Sequence, residues 1–292
     1  MADRQGGLTR RLLVSSRPLS WINTAYPFAA SYLVTRGEID AAFVIGTAFF
    51  LVPYNVAMYG INDVFDYASD VANPRKGGAE GGLLEPSVHR ATLIAAVGLC
   101  VPFVIALVAL GSPESWLLLA VSLFAVAAYS VPGLRVKERP VLDSATSSTH
   151  FVSPAVYGLV LAEATWTPAL VALLVSFFLW GLASHAFGAV QDVVPDRQGG
   201  IASIATVFGA KTTVRLALLS WVVAGLLLLV LPFPGPIAAA LVVPYIAVAW
   251  PYRSVADADS AQANRGWRRF LAVNYVAGFF VTMLLIAWVL IR

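Results

Sequence analysis

Long apolar runs separated by short polar joins dominate the chain. Nine runs of spanning or near-spanning length fall at roughly 19–35, 41–60, 91–111, 115–131, 144–162, 168–190, 213–233, 236–251 and 270–291. About 20 residues cross the hydrocarbon of a bilayer as a helix. The eighth run is short, and the fifth, SATSSTHFVSPAVYGLVLA, is polar over its first half. A helix satisfies its own backbone hydrogen bonds in lipid without closing a barrel. The pattern therefore predicts an all-α, polytopic membrane protein of nine transmembrane helices forming a single domain over 1–292.

The joins are unequal, and their charge orients the chain. Those after the first, third, fifth and seventh runs are short: RGEI, GSPE, EATWT and a PFPG turn. The alternate joins are longer and basic. Arg4, Arg10, Arg11 and Arg17 precede the first run; Arg75, Lys76 and Arg90 follow the second; Arg135, Lys137 and Arg139 follow the fourth. Arg197, Lys211 and Arg215 follow the sixth, and Arg253, Arg265, Arg268 and Arg269 the eighth, so 17 of the 19 lysines and arginines lie on one side. By the positive-inside rule that side is cytoplasmic, with the N-terminus inside and the C-terminus outside. The expected site is the cell membrane.

Composition agrees. Of 292 residues 59% are hydrophobic and 12% charged, with a mean hydropathy of +0.78, whereas soluble domains carry about 25% charged residues. The first 18 residues are polar and basic, unlike a cleavable signal peptide. The single cysteine, Cys100, excludes an intramolecular disulfide.

Two inner joins concentrate the polar chemistry, in segments 61–90 and 191–212. The first opens with GINDVFDYASDVANPRKGG; Asn55 and Tyr59 just before that stretch and Asn62, Asp66 and Asp70 within it recur at three- or four-residue steps, with Asp63 beside them. On a helix these share one face. The second, HAFGAVQDVVPDRQGG, sets Asp192 and Asp196 four apart and His185 seven before Asp192, with Pro195 interrupting the helical reading. A solvated loop is the simple explanation for either cluster alone; two acidic clusters, each closing a span on the same side, point to a shared role.

Stacked carboxylates near a membrane need cations, and a charged residue drawn to a span's centre costs about 2.5–3.5 kcal/mol. Mg²⁺ takes hard oxygen ligands and shares its coordination with phosphates and water. Two acidic helix ends facing each other across a cavity would hold Mg²⁺ ions, two by charge balance, against a diphosphate. Asn62, Asp63, Asp66 and Asp70 would serve one ion and Asp192 with Asp196 the other. Arg75, Lys76, Arg135, Lys137, Arg139, Arg197 and Lys211 would bind the outer phosphate oxygens.

With NDVFDYASD at 62–70 and DVVPD at 192–196, the chain resembles the UbiA-type intramembrane prenyltransferases over almost its whole length, including the nine-helix layout around a central cavity. Gln191 stands where many relatives carry another polar or acidic residue. The resemblance implies Mg²⁺-dependent ionisation of a prenyl diphosphate and alkylation of a lipophilic acceptor by the allyl cation. The phrases NPRKGGAEGGLL at 73–84 and KERPVLDSATSSTHFVSPAVYG at 137–158 resemble the branch that elongates lycopene to C50 carotenoids. That branch implies a dimethylallyl (C5) donor, a lycopene acceptor and, in some members, hydration of the product cation.

Such a cation needs dry walls, and aromatic faces attract cations. Tyr54, Tyr59, Tyr129, Tyr157, Trp180 and Phe187 are candidates, with ordinary packing as the plain alternative for each. His150 or His185 would position water, or else form structural hydrogen bonds. Asp143 would touch a nearby basic residue, and the glycines at 77, 78, 81 and 82 suggest a lid or a plain connector. An aromatic, quinone-precursor or glycerol-phosphate acceptor is the rival to lycopene. A transporter would keep ionisable residues near the midplane along a path, which most of these runs lack; a scaffold subunit would need no metal motif. Nothing in the sequence suggests a nucleic-acid partner.

Overall fold

The computed structural model describes residues 7–72 and 83–291. Among them there is no strand, only helix. In chain order the α-helices are α1 (Leu8–Ser15), α2 (Ile22–Arg36), α3 (Ala41–Leu51), α4 (Pro53–Phe65), α5 (Tyr67–Ala72), α6 (Pro86–Leu110) and α7 (Pro113–Ser130). They continue as α8 (Leu142–Leu161), α9 (Pro168–Val190), α10 (Val193–Gln198), α11 (Ile204–Phe208), α12 (Ala210–Leu228), α13 (Val242–Ala249) and α14 (Ala263–Ile291).

Each of the nine predicted spans falls on helix. Seven helical stretches among the described residues are long and apolar enough to cross a membrane, however, rather than nine. The first span is α2, with 15 residues. The fifth is α8, whose half of serines, threonines and a histidine lowers its hydropathy. These stretches make the chain a multi-pass membrane protein. Many large apolar side chains lie on their outer faces, among them Ile105, Leu117, Phe124 and Leu226, as lipid contact requires.

Three of the four spans that start after the short joins begin on a capped turn. Asp40 accepts from the Phe43 amide at 2.9 Å. Ser112 and Thr167 cap α7 and α9, each followed by a proline at the first helical position, where the missing N–H costs nothing. Such caps satisfy the free amides at a helix start.

The chain divides into two compact units, one comprising residues up to Val136 with Ser153–Ala164, the other Lys137–Val152 with Thr165 onward. In the first, an aromatic core of Phe28, Phe49, Phe50, Tyr54 and Tyr157 fills the space between helices. Phe50 meets Tyr54 edge-on at 5.2 Å and Phe28 at 5.3 Å. α3 approaches α2 at Gly46, where an added Cβ would sit 2.1 Å from the Phe28 ring; glycine is required there by contact.

The α3–α4 span is broken at Val52–Pro53. Asn55 Nδ2 donates to the carbonyls of Phe50 (2.8 Å) and Leu51 (3.1 Å) and to Thr24 Oγ1 (2.7 Å), while Thr24 Oγ1 donates to the Phe50 carbonyl at 2.7 Å. The break thus satisfies buried carbonyls with side chains, the alternative being a penalty of several kcal/mol for each polar group left bare in hydrocarbon.

In the second unit the core is Phe187, Trp221, Tyr245 and Phe270 with small residues between them. Trp221 stacks on Tyr245 at 5.8 Å and on Phe270 at 6.0 Å. α9 and α12 pack along one another, and Ser176 Oγ donates to the Ala224 carbonyl at 2.8 Å.

Candidate active site

The first acidic set lies at the C-terminal end of α4 and on α5, within the first unit. α4 ends at Phe65 and Asp66 caps it, so the motif does not ride on an unbroken helix. The backbone still turns helically, since the Asp66 amide donates to the Asn62 carbonyl (2.9 Å) and the Asp70 amide to the Asp66 carbonyl (2.8 Å). Asn62, Asp66 and Asp70 therefore stay stacked. Asn62 Nδ2 donates to Asp66 Oδ2 and, at 2.9 Å, to Ser130 Oγ at the end of α7. Asp66 and Asp70 are buried. Arg135 approaches Asp66 at 3.9 Å and the Phe65 carbonyl at 3.5 Å, so one predicted phosphate-binding arginine stands beside the acids.

Asp63 points elsewhere. It is 1% exposed; Ser15 Oγ donates to its Oδ2 at 2.8 Å and Arg17 Nη2 to its Oδ1 at 3.1 Å. The Arg17 guanidinium also lies 4.3 Å from the centre of the Tyr59 ring. Asn55 is committed to the break in the span described above, and Tyr157 to the aromatic core. Tyr129 is half-buried on the last turn of α7, next to Ser130. Arg75, Lys76 and the glycines at 77, 78, 81 and 82 lie outside the described residues.

The second set belongs to the second unit. α9 stops at Val190, and α10 begins after Asp192, with Pro195 in its first turn, where proline fits. His185, Asp192 and Asp196 therefore do not share one continuous helix, as the proline foreshadowed. Asp192 and Asp196 are half-buried. Gln191 is buried, donating to the Gly188 carbonyl at 2.9 Å and accepting from Asn264 of α14. His185 meets Ser144 Oγ at 3.0 Å through Nδ1, and His150 is buried on α8. Trp180 and Phe187 pack in the aromatic core.

Asp143 is fully buried, and its partners are backbone amides rather than a basic residue. One oxygen accepts from Ser144 at 2.7 Å and the other from Ile204 at 2.7 Å. Arg197, a predicted phosphate ligand, donates through Nε and Nη2 to the Thr206 carbonyl at 2.9 and 2.7 Å and pairs through Nη1 with Asp257 at 2.6 Å. Lys137 is half-buried, and Arg139 and Lys211 are exposed.

Asp257 also accepts from the Ala210 amide at 2.7 Å. That amide, and then Arg197, holds its carboxyl below the ordinary carboxylate value. A group whose acidity rises on folding stabilises the fold above its unfolded pKa, and the effect is lost as pH falls through the folded value. The melting-temperature difference between wild type and Asp257→Asn is accordingly expected to be largest at neutral pH and to shrink as pH falls through the folded value of the carboxyl, as read by thermal unfolding in detergent across pH.

The donor set suits magnesium. Every candidate ligand offers carboxylate or amide oxygen, the hard donors Mg²⁺ takes, and Asp66 and Asp70 are buried carboxylates, which need a cation nearby. Within either unit, no three His, Cys, Asp or Glu side chains among the described residues gather into a metal cluster. Any bound Mg²⁺ would complete its coordination with water and phosphate oxygens.

Sequence reasoning missed Ser15, Arg17, Ser130 and Asn264, all of which reach the acidic motifs from far along the chain. Only the excess of hydroxyl and amide residues beside the spans hinted at them.

Comparison with known proteins agrees with this chemistry. The family model for the UbiA prenyltransferase family matches residues 24–280. The chain is 49% identical over 278 residues to a lycopene elongase/hydratase of Corynebacterium glutamicum, covering 95% of this chain and 97% of that protein. It is 54% identical over 286 residues to the C(50) beta-cyclic carotenoids biosynthesis protein LbtBC of Dietzia sp. (strain CQ4), covering 98% of this chain and 66% of that longer protein. In fold it is similar to a UbiA homolog from Archaeoglobus fulgidus bound to DMAPP and Mg2+, with a TM-score of 0.62 at 16% identity over 91% of this chain and 98% of that one. A UbiA homolog from Aeropyrum pernix K1 gives 0.61 at 19% identity, over 90% and 98%. With paired acidic motifs on an all-helical membrane scaffold and a family match across most of its length, the chain belongs to the UbiA prenyltransferase family and is a prenyltransferase.

Proposed function

We propose that the enzyme transfers a dimethylallyl group from its diphosphate to the end of lycopene, and does so at the cytoplasmic face of the cell membrane. Near-full-length identity of about half to a protein named lycopene elongase/hydratase carries this reading. The Archaeoglobus homolog's DMAPP and Mg2+ support the donor and the metal.

Asn62, Asp66 and Asp70 would hold Mg²⁺, as would Asp192 with Asp196, and the metal would supply positive charge that offsets the charge of the departing diphosphate. Arg135 and the other basic residues of the inner joins take the outer phosphate oxygens. The C–O bond breaks with its electron pair leaving on the diphosphate, and the terminal alkene of the acceptor attacks the allylic carbon. The resulting tertiary cation then loses a proton or captures water and releases a proton from it. Preorganised charge at the leaving group is the main source of rate.

Membranes containing the enzyme, given dimethylallyl diphosphate, Mg²⁺ and lycopene, are expected to form C45 and then C50 carotenoids, resolved by chromatography and mass spectrometry. Addition of one oxygen and two hydrogens per new C5 unit would report water capture. Turnover of a phenolic acceptor with none of lycopene would overturn the acceptor while leaving prenyl transfer standing.

A further inference from the structure

Asp63 sits inside the acidic motif, yet it behaves as an anchor. Both its oxygens have partners on the segment that precedes the first span: Ser15 Oγ at 2.8 Å and Arg17 Nη2 at 3.1 Å. It is 1% exposed, less than Asp66 or Asp70. Arg17 reaches it from a left-handed backbone, φ 52° and ψ 70°. Arginine seldom adopts that conformation, which is strained for a residue other than glycine, so surrounding contacts must hold it. The Tyr59 ring under the guanidinium supplies one of them.

The rest of the segment is fastened too. Arg11 pairs with Glu85 at 3.3 Å, just before α6, and α1 packs against α4. Trp21 Nε1 donates back to the Ser16 carbonyl at 3.0 Å, closing the turn that presents Ser15 and Arg17. Asp63 adjoins Asn62 in the chain, and Asn62 binds Asp66. Whatever fixes Asp63 therefore fixes the angle at which α4 offers Asn62 and Asp66.

We propose that Asp63 is not a metal ligand but the receptor for an N-terminal strap, and that Arg17, with Ser15, is a positioning residue that sets the first metal-binding face through it. Buried charge pairs are suited to specifying one register, and the alternating Arg17–Asp63–Ser15 contacts specify how α1 meets α4. The part of this that concerns metal rests on the magnesium reading above; the strap itself does not.

The test uses the full-length chain purified in detergent as wild type, Arg17→Gln, Asp63→Asn and the double variant. Two quantities are read: the rate of tryptic cleavage after Arg10 and Arg11, and the Mg²⁺ concentration for half-maximal transfer. Each single variant is expected to speed cleavage by about tenfold or more, because losing a charged hydrogen bond opens the segment locally. The double variant should be cleaved no faster than either single one, the signature of one shared interaction. In the Arg17→Gln background, Asp63→Asn should move the Mg²⁺ requirement by less than about twofold. If Asp63→Asn raises that requirement as steeply without Arg17 as with it, Asp63 binds metal and the proposal fails. Unchanged tryptic protection in Arg17→Gln overturns it independently, even if no transfer activity is found.

Discussion

Asp66→Asn is expected to lower prenyl transfer by about 10²–10³-fold and to raise the Mg²⁺ needed for half-maximal rate. Metal-borne charge stabilisation in the transition state is worth several kcal/mol, and about 1.4 kcal/mol is a factor of ten in rate. The substitution is a narrow probe. Asn62 Nδ2 donates to an Asp66 oxygen, and the amide oxygen of asparagine can accept the same bond, so shape is kept and one negative charge removed. Arg135, 3.9 Å away with its side chain 30% exposed, retains the Phe65 carbonyl and access to water, so no buried unpaired cation results. The melting temperature should therefore change little while the rate collapses. Full activity at limiting Mg²⁺ would show that Asp66 does not bind metal.

The opposite balance holds at Asp143. Asp143→Asn is expected to destabilise the protein by about 2–4 kcal/mol, since a hydrogen bond to a charged group contributes about 1.5–3 kcal/mol and a buried donor left bare adds its desolvation. Its two oxygens accept from two backbone amides, Ser144 and Ile204, each at 2.7 Å. An asparagine matches one and turns an NH₂ group against the other. The Ile204 amide opens α11, which follows the second acidic motif, and the Ile201 amide between them donates to the Asp196 carbonyl at 2.8 Å. The loss should therefore reach Asp196 and appear as a lower melting temperature together with weaker activity. Tryptophan fluorescence on heating would measure the first, with Ser144→Ala, which keeps the amide bonded to Asp143 and loses only the hydroxyl bonded to His185, as the comparison. A melting temperature unchanged in Asp143→Asn would remove Asp143 from its structural role.

These two carboxylates show how far the sequence could be read. Spans were legible because hydropathy over some twenty residues is a local, additive property. The stacking of Asn62, Asp66 and Asp70 was legible because helical periodicity is local as well, and it survived the bend at Asp66. The partners of Asp63, Asn55 and Asp143 were not legible for one reason: they lie 46, 31 and 61 residues away, and no periodicity reports such partners. Arg197 looked like a phosphate ligand by its neighbours in sequence, whereas its guanidinium is occupied by Thr206 and Asp257. The short first span and the polar fifth one depart from the count of nine because burial within protein, and not hydropathy alone, permits a helix at membrane depth.

The plugged break at Val52–Pro53 bears on how the enzyme tolerates different lipids. A straight rod adapts to a thicker or thinner bilayer by tilting, and tilting swings whatever sits at its tip. Here α3 is expected to bear the mismatch, while α4, most of whose residues are buried, stays seated among its neighbours. Acyl-chain length should thus be felt at the joint and little at the acids.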